Sequence, residues 1–510
     1  MCSIAGTVQF RMVAPGERAF QRKALEDALV RLWHRGPDQA FVTEAGSVCT
    51  IAGNRLIVRG GPAAGRQPFV DGRRVACFNG EIYNYRTFTD KPSDGYAILE
   101  AYLRNGLDFP NHLDGEFALC LWDDVDGILI LARDHFGTKP LFFGFDEDRL
   151  FWSSSACLVA DFFERPLCPS KRGPAYRHTY AIQEPYTSYQ GVWSIPPGHQ
   201  LVFERGCLTL RPLRGWPCPV PDWKLDVRSA LWDALHARLD CNDTLAIPLS
   251  AGIDSGILAF AADRLGVRYH TYSVVSVLGV ETIEAPYIRE RLARLNPDSA
   301  TLLDCTREDY CGALRAMFLD SYHDSEYLDN GAILTHRVAS AVKQQGHTVL
   351  LDGAGGDELF NGYQFRHELA CPAGWPPPPY DHLASLYTTL PAYVAKVDRA
   401  GAYHSLETRF PFLAKRLLCA AVQTGPHYAK NVLRDFLLNE LDYGPPLDPD
   451  LDGKYGFSMR GHDVARVRRD LRSSWLASVE GRPRGRRARF PFPIGRRGEV
   501  RVGAGSGARG

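Results

Sequence analysis

The chain has 510 residues, with 59 Lys and Arg balancing 59 Asp and Glu, 45% hydrophobic and 23% charged. That length predicts about three domains of roughly 150 residues each, and the composition excludes a chain disordered throughout while leaving ample apolar residues for sizeable cores. A balanced charge argues against nucleic-acid binding by the body of the chain, and no run reaches the ~18 apolar residues of a membrane span.

In chain order, residues 2–9 alternate as a strand, and Phe20, Ala24, Ala28, Leu29 and Leu32 fall at helical spacing. Residues 48–58, 74–78, 117–122 and 127–132 are β-branched or aromatic runs bounded by Gly, Asp and Asn, and read as strands. Ser93 and Asp94 offer N-caps to a helix carrying Tyr96, Ile98, Leu99, Tyr102 and Leu103. Strands with few helices between them imply layered sheets. Pro212, Pro217, Pro219 and Pro221, with Gly215 among them, then break the chain, so a linker is placed at 211–222. Beyond it the rhythm becomes helix 225–239, strand 244–249, helix 255–265, strand 269–275, helix 285–295 and strand 348–351, the alternation of a parallel sheet. Last in order are a stiff Pro-rich loop at 372–379, helices near 412–423 and 430–441, and an Arg/Gly-rich disordered segment from Gly481.

The thirteen cysteines are scattered, odd in number and without a Cys-x-x-Cys pair. Zinc and a disulfide framework are therefore poorly supported, and a reducing cytoplasm fits. The amino terminus lacks the basic start and apolar stretch of a signal peptide. Cys2 stands where removal of the initiator methionine would leave it first in the chain. A terminal cysteine carries its own base, because the free α-amine, with a pKa of ~8, lies beside the thiol. Taken alone, Cys2 reads as a buried structural cysteine.

Six motifs between residues 34 and 141 change the weight given to Cys2. The chain contains His34-Arg35-Gly36-Pro37-Asp38, Asn54-Arg55-Leu56, Asn79-Gly80-Glu81-Ile82-Tyr83-Asn84, Ser93-Asp94, Asp114-Gly115-Glu116-Phe117-Ala118 and Arg133-Asp134-His135-Phe136-Gly137-Thr138-Lys139-Pro140-Leu141. This ordered set resembles the class II glutamine amidotransferase domain, an N-terminal-nucleophile hydrolase fold. The resemblance makes Cys2 the nucleophile. A thiolate attacking a carboxamide builds an oxyanion, which the Asn79 side chain and the Gly80 N–H can stabilise. Arg55 offers a planar fork to the α-carboxylate of glutamine, and Asp94, with Glu81 nearby, a partner to its α-ammonium. Arg133 and Asp134 belong to a motif that is mainly structural in the family. His34 reads as structural too, since the terminal amine makes a second base unnecessary.

In the second half, Leu249-Ser250-Ala251-Gly252-Ile253-Asp254-Ser255 joins a predicted strand to a predicted helix, so its N–H groups and the helix dipole can face phosphate. It resembles the pyrophosphate loop of ATP pyrophosphatases, with Ala251 in place of the first glycine. Asp352-Gly353-Ala354-Gly355-Gly356-Asp357-Glu358, then Ser405 to Leu413 and Lys430-Asn431-Val432-Leu433-Arg434, extend the likeness to glutamine-hydrolysing asparagine synthetase up to about residue 460. The fold implied is an αββα sandwich over 2–210 followed by a Rossmann-like parallel-sheet ATP-pyrophosphatase domain over 223–480. Implied ATP-binding residues are Leu249, Ser250, Gly252, Asp254, Ser255, Val275 and Gly353. Asp254 and Asp357 would hold Mg²⁺, two hard carboxylates suiting that ion beside phosphate. Lys430 would be the catalytic cation of an acyl-adenylate step, and Lys454 a weaker second cation. Glu281 and Glu284 fall where the family carries acids, or simply begin a solvated helix. The partners implied are glutamine, ATP and a carboxylate substrate; a homodimer is left open.

The sequence departs from the family at Ala354, where glutamate is usual, and also at Asp352, Ala414 and Ser153-Ser154-Ser155. Alanine cannot accept a proton or bind an ammonium, so the carboxylate amidated is expected to differ from aspartate. Two other readings stand beside this one: an intramolecular amide-forming synthetase of the β-lactam or lasso-peptide type, and a non-catalytic regulatory protein on a synthetase scaffold. The first typically lacks the glutaminase nucleophile, and decay to the second would be expected to strike Cys2, Asp254 or Asp357. The neutral total hides segregation: residues 481–510 hold nine arginines and one acid, Glu499, so the preceding body is acidic by eight charges. Nucleic-acid binding is therefore disfavoured for the body and less strongly for the basic tail.

Overall fold

The computed structural model describes residues 2–11, 15–58, 61–166, 184–213, 224–240, 244–319, 330–362, 386, 390–424, 430–443 and 499–501. The chain forms two compact units, the first holding the described residues up to 213 together with 499–501 and the second the described residues from 224 to 443.

The first unit begins with β1 (Ser3–Gln9), α1 (Pro15–Arg31), β2 (Gln39–Ala45) and β3 (Cys49–Arg55). It continues with β4 (Phe69–Asp71), β5 (Arg74–Ile82), α2 (Tyr96–Asn105), β6 (Gly115–Asp123) and β7 (Ile128–Arg133). Then come β8 (Phe142–Phe145), β9 (Arg149–Ser153), α3 (Ala156–Phe162), β10 (Trp193–Ser194), β11 (His199–Glu204) and β12 (Cys207–Pro212). Two antiparallel sheets result, ordered β10-β8-β9-β1-β3-β2 and β12-β11-β7-β6-β5-β4.

Strand parity explains why they stack. On β5, Val75 and Cys77 face one way and Ala76 and Phe78 the other. Ala118, Cys120 and Trp122 of β6 and Leu129 and Leu131 of β7 join Ile4, Val8, Ile51 and Trp152 in one core between the sheets. The opposite residues Phe117, Leu119, Leu121 and Ile130 pack under α2. Ala5, Ala52 and Phe151 pack under α1 and α3. The unit is thus a four-layer αββα sandwich, and strands buried on both faces explain why these runs read as continuously apolar. A strand at Glu499–Arg501 pairs antiparallel with β12. The expectation of disorder from Gly481 onward therefore does not hold for those three residues. The rest of that segment, the loop at 372–379 and Lys454 lie outside the described residues.

The second unit contains α4 (Val227–Leu239), β13 (Leu245–Pro248), α5 (Ile253–Arg264), β14 (Tyr269–Val277), β15 (Val280–Glu281) and α6 (Ala285–Leu292). It continues with β16 (Ser299–Cys305), α7 (Arg307–Leu319), α8 (Asn330–Gln344), β17 (Val349–Leu351) and α9 (Gly356–Leu359). Last come α10 (Leu390–Tyr403), β18 (Glu407–Arg409), α11 (Lys415–Gln423) and α12 (Asn431–Asp435), which runs into a π-helical turn. β16, β14, β13, β17 and β18 lie side by side and pair in parallel, with β15 antiparallel at the far end of β14. Successive strands leave β13 in one direction to β14 and β16, then return to its other side at β17 and β18. The order therefore reverses between β13 and β17, and ligands of such sheets bind outside the carboxyl ends at that point.

Three local expectations are corrected. Phe20 is 63% exposed, because Gln21, Leu25, Ala28, Leu29 and Leu32 form the buried stripe of α1. Asp94 does not cap α2: Gly95 stands at the cap, and the Asp94 carboxylate accepts the Ile82 N–H at 2.8 Å instead. Eight described cysteines form no disulfide, but Cys419 is disulfide-bonded, a crosslink that the scattered cysteine spacing does not signal. Among the described residues no helix is long and apolar enough to cross a membrane.

Candidate active sites

Parity carries the first site. Cys2 precedes β1 with the parity of Ile4, and Asn79 on β5 has that of Cys77, so both belong to the facing inner surfaces of the two sheets. The Cys2 N–H donates to Asn79 Oδ1 at 3.1 Å. Asn79 is fully buried, and its Nδ2 has no hydrogen-bond partner. A buried amide donor left unmatched beside a thiol is what an oxyanion site requires before substrate arrives. Gly80 follows at φ +131°, and a Cβ there would stand 1.8 Å from the Glu116 carbonyl, so only glycine fits.

Arg55 ends β3 and is buried. Its Nη1 donates to Gln39 Oε1 at 3.0 Å and its Nη2 to the Gly61 carbonyl at 3.3 Å. Burial lowers the guanidinium pKa, opposed by the charges of Cys2, Asp94 and Asp38, which places all three within its field. A cavity of about 160 Å³ opens here, lined by Gln39, Ala40, Phe41, Arg55, Arg66 and Gln67. That is below the ~300–1,000 Å³ usual for larger ligands and suits a single small amino acid. Glu81 is buried on β5.

Sequence reasoning missed Gln67. Its amide clasps the Phe78 backbone at both ends, each at 2.9 Å, and its Nε2 lies 3.8 Å from Cys2 Sγ. The only signal was a glutamine before proline. The expected structural motif is visible as a hub: Asp134 accepts the N–H groups of Phe117, Phe136 and Thr138 and the Thr138 hydroxyl. Arg133 donates to the carbonyls of Lys139, Gly137 and Ile195. Burial, with Arg35 beside it, pushes His34 down to about 4, so it is neutral near pH 7.

The second site lies where the strand order reverses. After β13, Leu249 is buried with its carbonyl accepting the Ser273 hydroxyl at 2.7 Å. Ser250 and Ser255 share a hydroxyl contact at 2.8 Å, and Gly252 N–H donates to Ser250 Oγ at 3.1 Å. The Val275 carbonyl on β14 accepts the Thr282 N–H at 2.8 Å. Across the crevice, a Cβ on Gly353 would come 2.8 Å from the Asp254 Cβ, one on Gly356 2.4 Å from its Oδ1, and one on Gly362 2.0 Å from Asp357 Oδ1. Gly353 and Gly356 let the loop after β17 close onto the segment after β13, and Gly362 leaves room for the Asp357 carboxylate and Lys430.

Lys430 joins the two acids, its Nζ 2.5 Å from Asp254 Oδ2 and 2.8 Å from Asp357 Oδ1. Its backbone is left-handed at φ +57°, held by the N–H bond to the Phe360 carbonyl at 3.0 Å. A strained residue held from both ends at a site is a mark of function. Asp254 Oδ1 is buried with no hydrogen-bond partner, so a hard divalent cation fits the pair. Among the described residues no cluster of three or more metal-binding side chains occurs. Further ligands for such an ion would come from phosphate and water. Glu281 pairs with Arg289 at 2.6 Å on the surface. Glu284 instead takes the Ala251 N–H at 2.9 Å.

Residues 1–213 match the glutamine amidotransferase domain family and residues 226–392 the asparagine synthase family. The class is therefore a glutamine amidotransferase domain followed by an asparagine synthase domain, and the chain belongs to the asparagine synthetase family as a diverged member. It is 25% identical over 459 residues to asparagine synthetase B of Escherichia coli, aligned over 84% of this chain and 76% of that one. It is 29% identical to amidase chyE of Penicillium rubens and 28% identical to amidase chry2 of Gibberella zeae, over 77% and 66% of this chain. The alignments span 63% and 55% of those two amidases, less than two thirds of their length. Among solved structures it is similar to the allosteric regulatory enzyme of purine biosynthesis, at 14% identity and a TM-score of 0.32, covering 59% of this chain and 80% of that one. Likeness at that level says nothing about function.

Proposed function

We propose that the chain hydrolyses glutamine at Cys2 and uses the ammonia to amidate a carboxylate activated by ATP, the carboxylate being one other than aspartate. The observation that carries this is the meeting of Asp254, Asp357 and Lys430 beside the serine-glycine loop, at the reversal of the strand order.

In the first unit, Cys2 Sγ attacks the carboxamide carbon of glutamine. Asn79 Nδ2 and the Gly80 N–H hold the oxyanion while Arg55 holds the α-carboxylate and Asp94, with Glu81, the ammonium. Ammonia leaves with a proton, and water releases glutamate from the thioester. In the second, a carboxylate oxygen attacks the α-phosphorus of ATP and pyrophosphate departs. Lys430 offsets charge on the phosphates, while Ser250, Gly252, Ser255 and Gly353 frame them. Ammonia then displaces AMP at the acyl carbon. Mg²⁺, held by Asp254 and Asp357, would neutralise the departing pyrophosphate.

The substrate clause rests on Ala354. Its N–H is taken by Asp352 Oδ1 at 2.8 Å, and its methyl offers nothing to an α-ammonium. ATP–pyrophosphate exchange across a panel of carboxylic acids tests both parts. Exchange with a non-aspartate acid is expected; efficient use of aspartate would remove the substrate clause, and exchange with none would remove the activation step. In Cys2→Ala, glutamine-dependent amidation should vanish while ammonia-dependent amidation persists.

A further inference from the structure

The loop joining β13 to α5 is held from behind by two side chains two turns apart on one face of α6. Arg291 Nη1 donates to the carbonyls of Ser250 and Gly252, each at 2.6 Å. Glu284, at the amino-terminal end of α6, accepts the Ala251 N–H at 2.9 Å. The Ser250 carbonyl and the Ala251 N–H belong to one trans peptide and point in opposite directions, so that plane is gripped at both edges. With the Gly252 carbonyl also drawn to Arg291, the same planarity turns the Ile253 N–H the other way. Ile253 opens α5, where the first N–H groups lack intrahelical acceptors and suit an anion.

Arg291 is 2% exposed. Its remaining contacts are with Tyr443, whose hydroxyl lies 3.4 Å from Nε and whose ring centre lies 5.5 Å from the guanidinium carbon. Among the described residues no carboxylate pairs with it. Gly256 leaves it room, since a Cβ there would come within 3.3 Å of Nη1. A buried guanidinium satisfied only by neutral oxygens retains a net charge, and an anion over the loop would neutralise it.

We propose that Arg291 and Glu284 are positioning residues for the phosphates of the nucleotide. Arg291 supplies a buried positive charge beneath the loop and fixes its carbonyls inward; Glu284 fixes the peptide between them as a hydrogen-bond acceptor. This rests on reading the loop as the ATP site. The test is calorimetric titration of the full-length protein with Mg²⁺ and α,β-methylene-ATP, and separately with Mg²⁺ and inorganic pyrophosphate. Far-UV circular dichroism and the thermal transition of the second unit report that each variant is folded.

Arg291→Met should weaken both ligands by about ten- to a hundredfold, the value of a charge-assisted hydrogen bond, and Arg291→Lys should recover part of that. Glu284→Ala should weaken them by about tenfold, with Glu284→Gln near wild type because its amide oxygen still accepts. If Arg291→Met does not fold, the half-buried Glu284 pair decides. Unchanged affinity in Glu284→Ala, or Glu284→Gln as weak as Glu284→Ala, would overturn the inference alone. A wild-type protein that binds neither ligand would overturn the ATP reading together with it.

Discussion

At Asn79 the same side chain accepts with Oδ1 from Cys2 and leaves Nδ2 buried and unmatched. Asn79→Ala should therefore cost about 10²–10³ in kcat for glutamine hydrolysis while leaving ammonia-dependent amidation intact; equal loss of both would contradict the role. Gly80→Ala forces a Cβ onto the Glu116 carbonyl in a left-handed conformation, a destabilisation of about 3 kcal/mol or more visible as a lowered unfolding midpoint. His34 supplies a pH effect. Its folded value of about 4 lies below the usual 6.5, so the unfolded chain takes up a proton first. The stability His34 contributes is full above pH 6.5 and lost as pH falls toward 4. Replacement by glutamine should flatten the unfolding free energy across that window, and an unaltered slope would refute the assignment. Cys2, Arg55, Asn79, Gly80, Asp254, Asp357 and Lys430 were all legible as candidates, because each sits in a local motif. Gln67 and Arg291 were not. One is a glutamine in a loop and the other an arginine in a charged helix, and what distinguishes them is contacts made with residues far away in sequence.

Among the elements, strands buried on both faces were the easiest to read, as β5, β6 and β7 show. β16 was passed over because its exposed face carries Ala300 and Leu302 beside Asp304, so polarity does not alternate along it, and β18 because three residues carry no period. The junctions matter most for function. Two glycines, Gly353 and Gly356, admit the β17 loop to Asp254 beyond β13, and α12 starts on a strained Lys430 between two acids. Lys430→Met should strand the buried Asp357 carboxylate and the partly buried Asp254 carboxylate and cost about 3–5 kcal/mol, measurable by denaturant unfolding. Restoring much of that with Asp254→Asn in the same chain would show that charge, not packing, is responsible.

For the whole molecule, two units with separate cores predict two thermal transitions. A glutamine analogue that alkylates Cys2 should raise one, and ATP with Mg²⁺ the other, since each ligand stabilises only the unit that binds it. A single transition moved by both would show one cooperative body. The sequence by itself determined the type of each unit and offered a division of the chain and candidate residues for both sites, because motifs, strand periodicity and the Pro-rich break are local properties. Only the tertiary structure decided that Asp94 turns to Ile82 rather than capping a helix, that Glu284 grips the loop rather than meeting solvent, and that Lys430 spans two acids from the starts of separate helices. Those outcomes depend on which segments meet, and that is set by packing between groups 12, 33 and 176 residues apart in the chain.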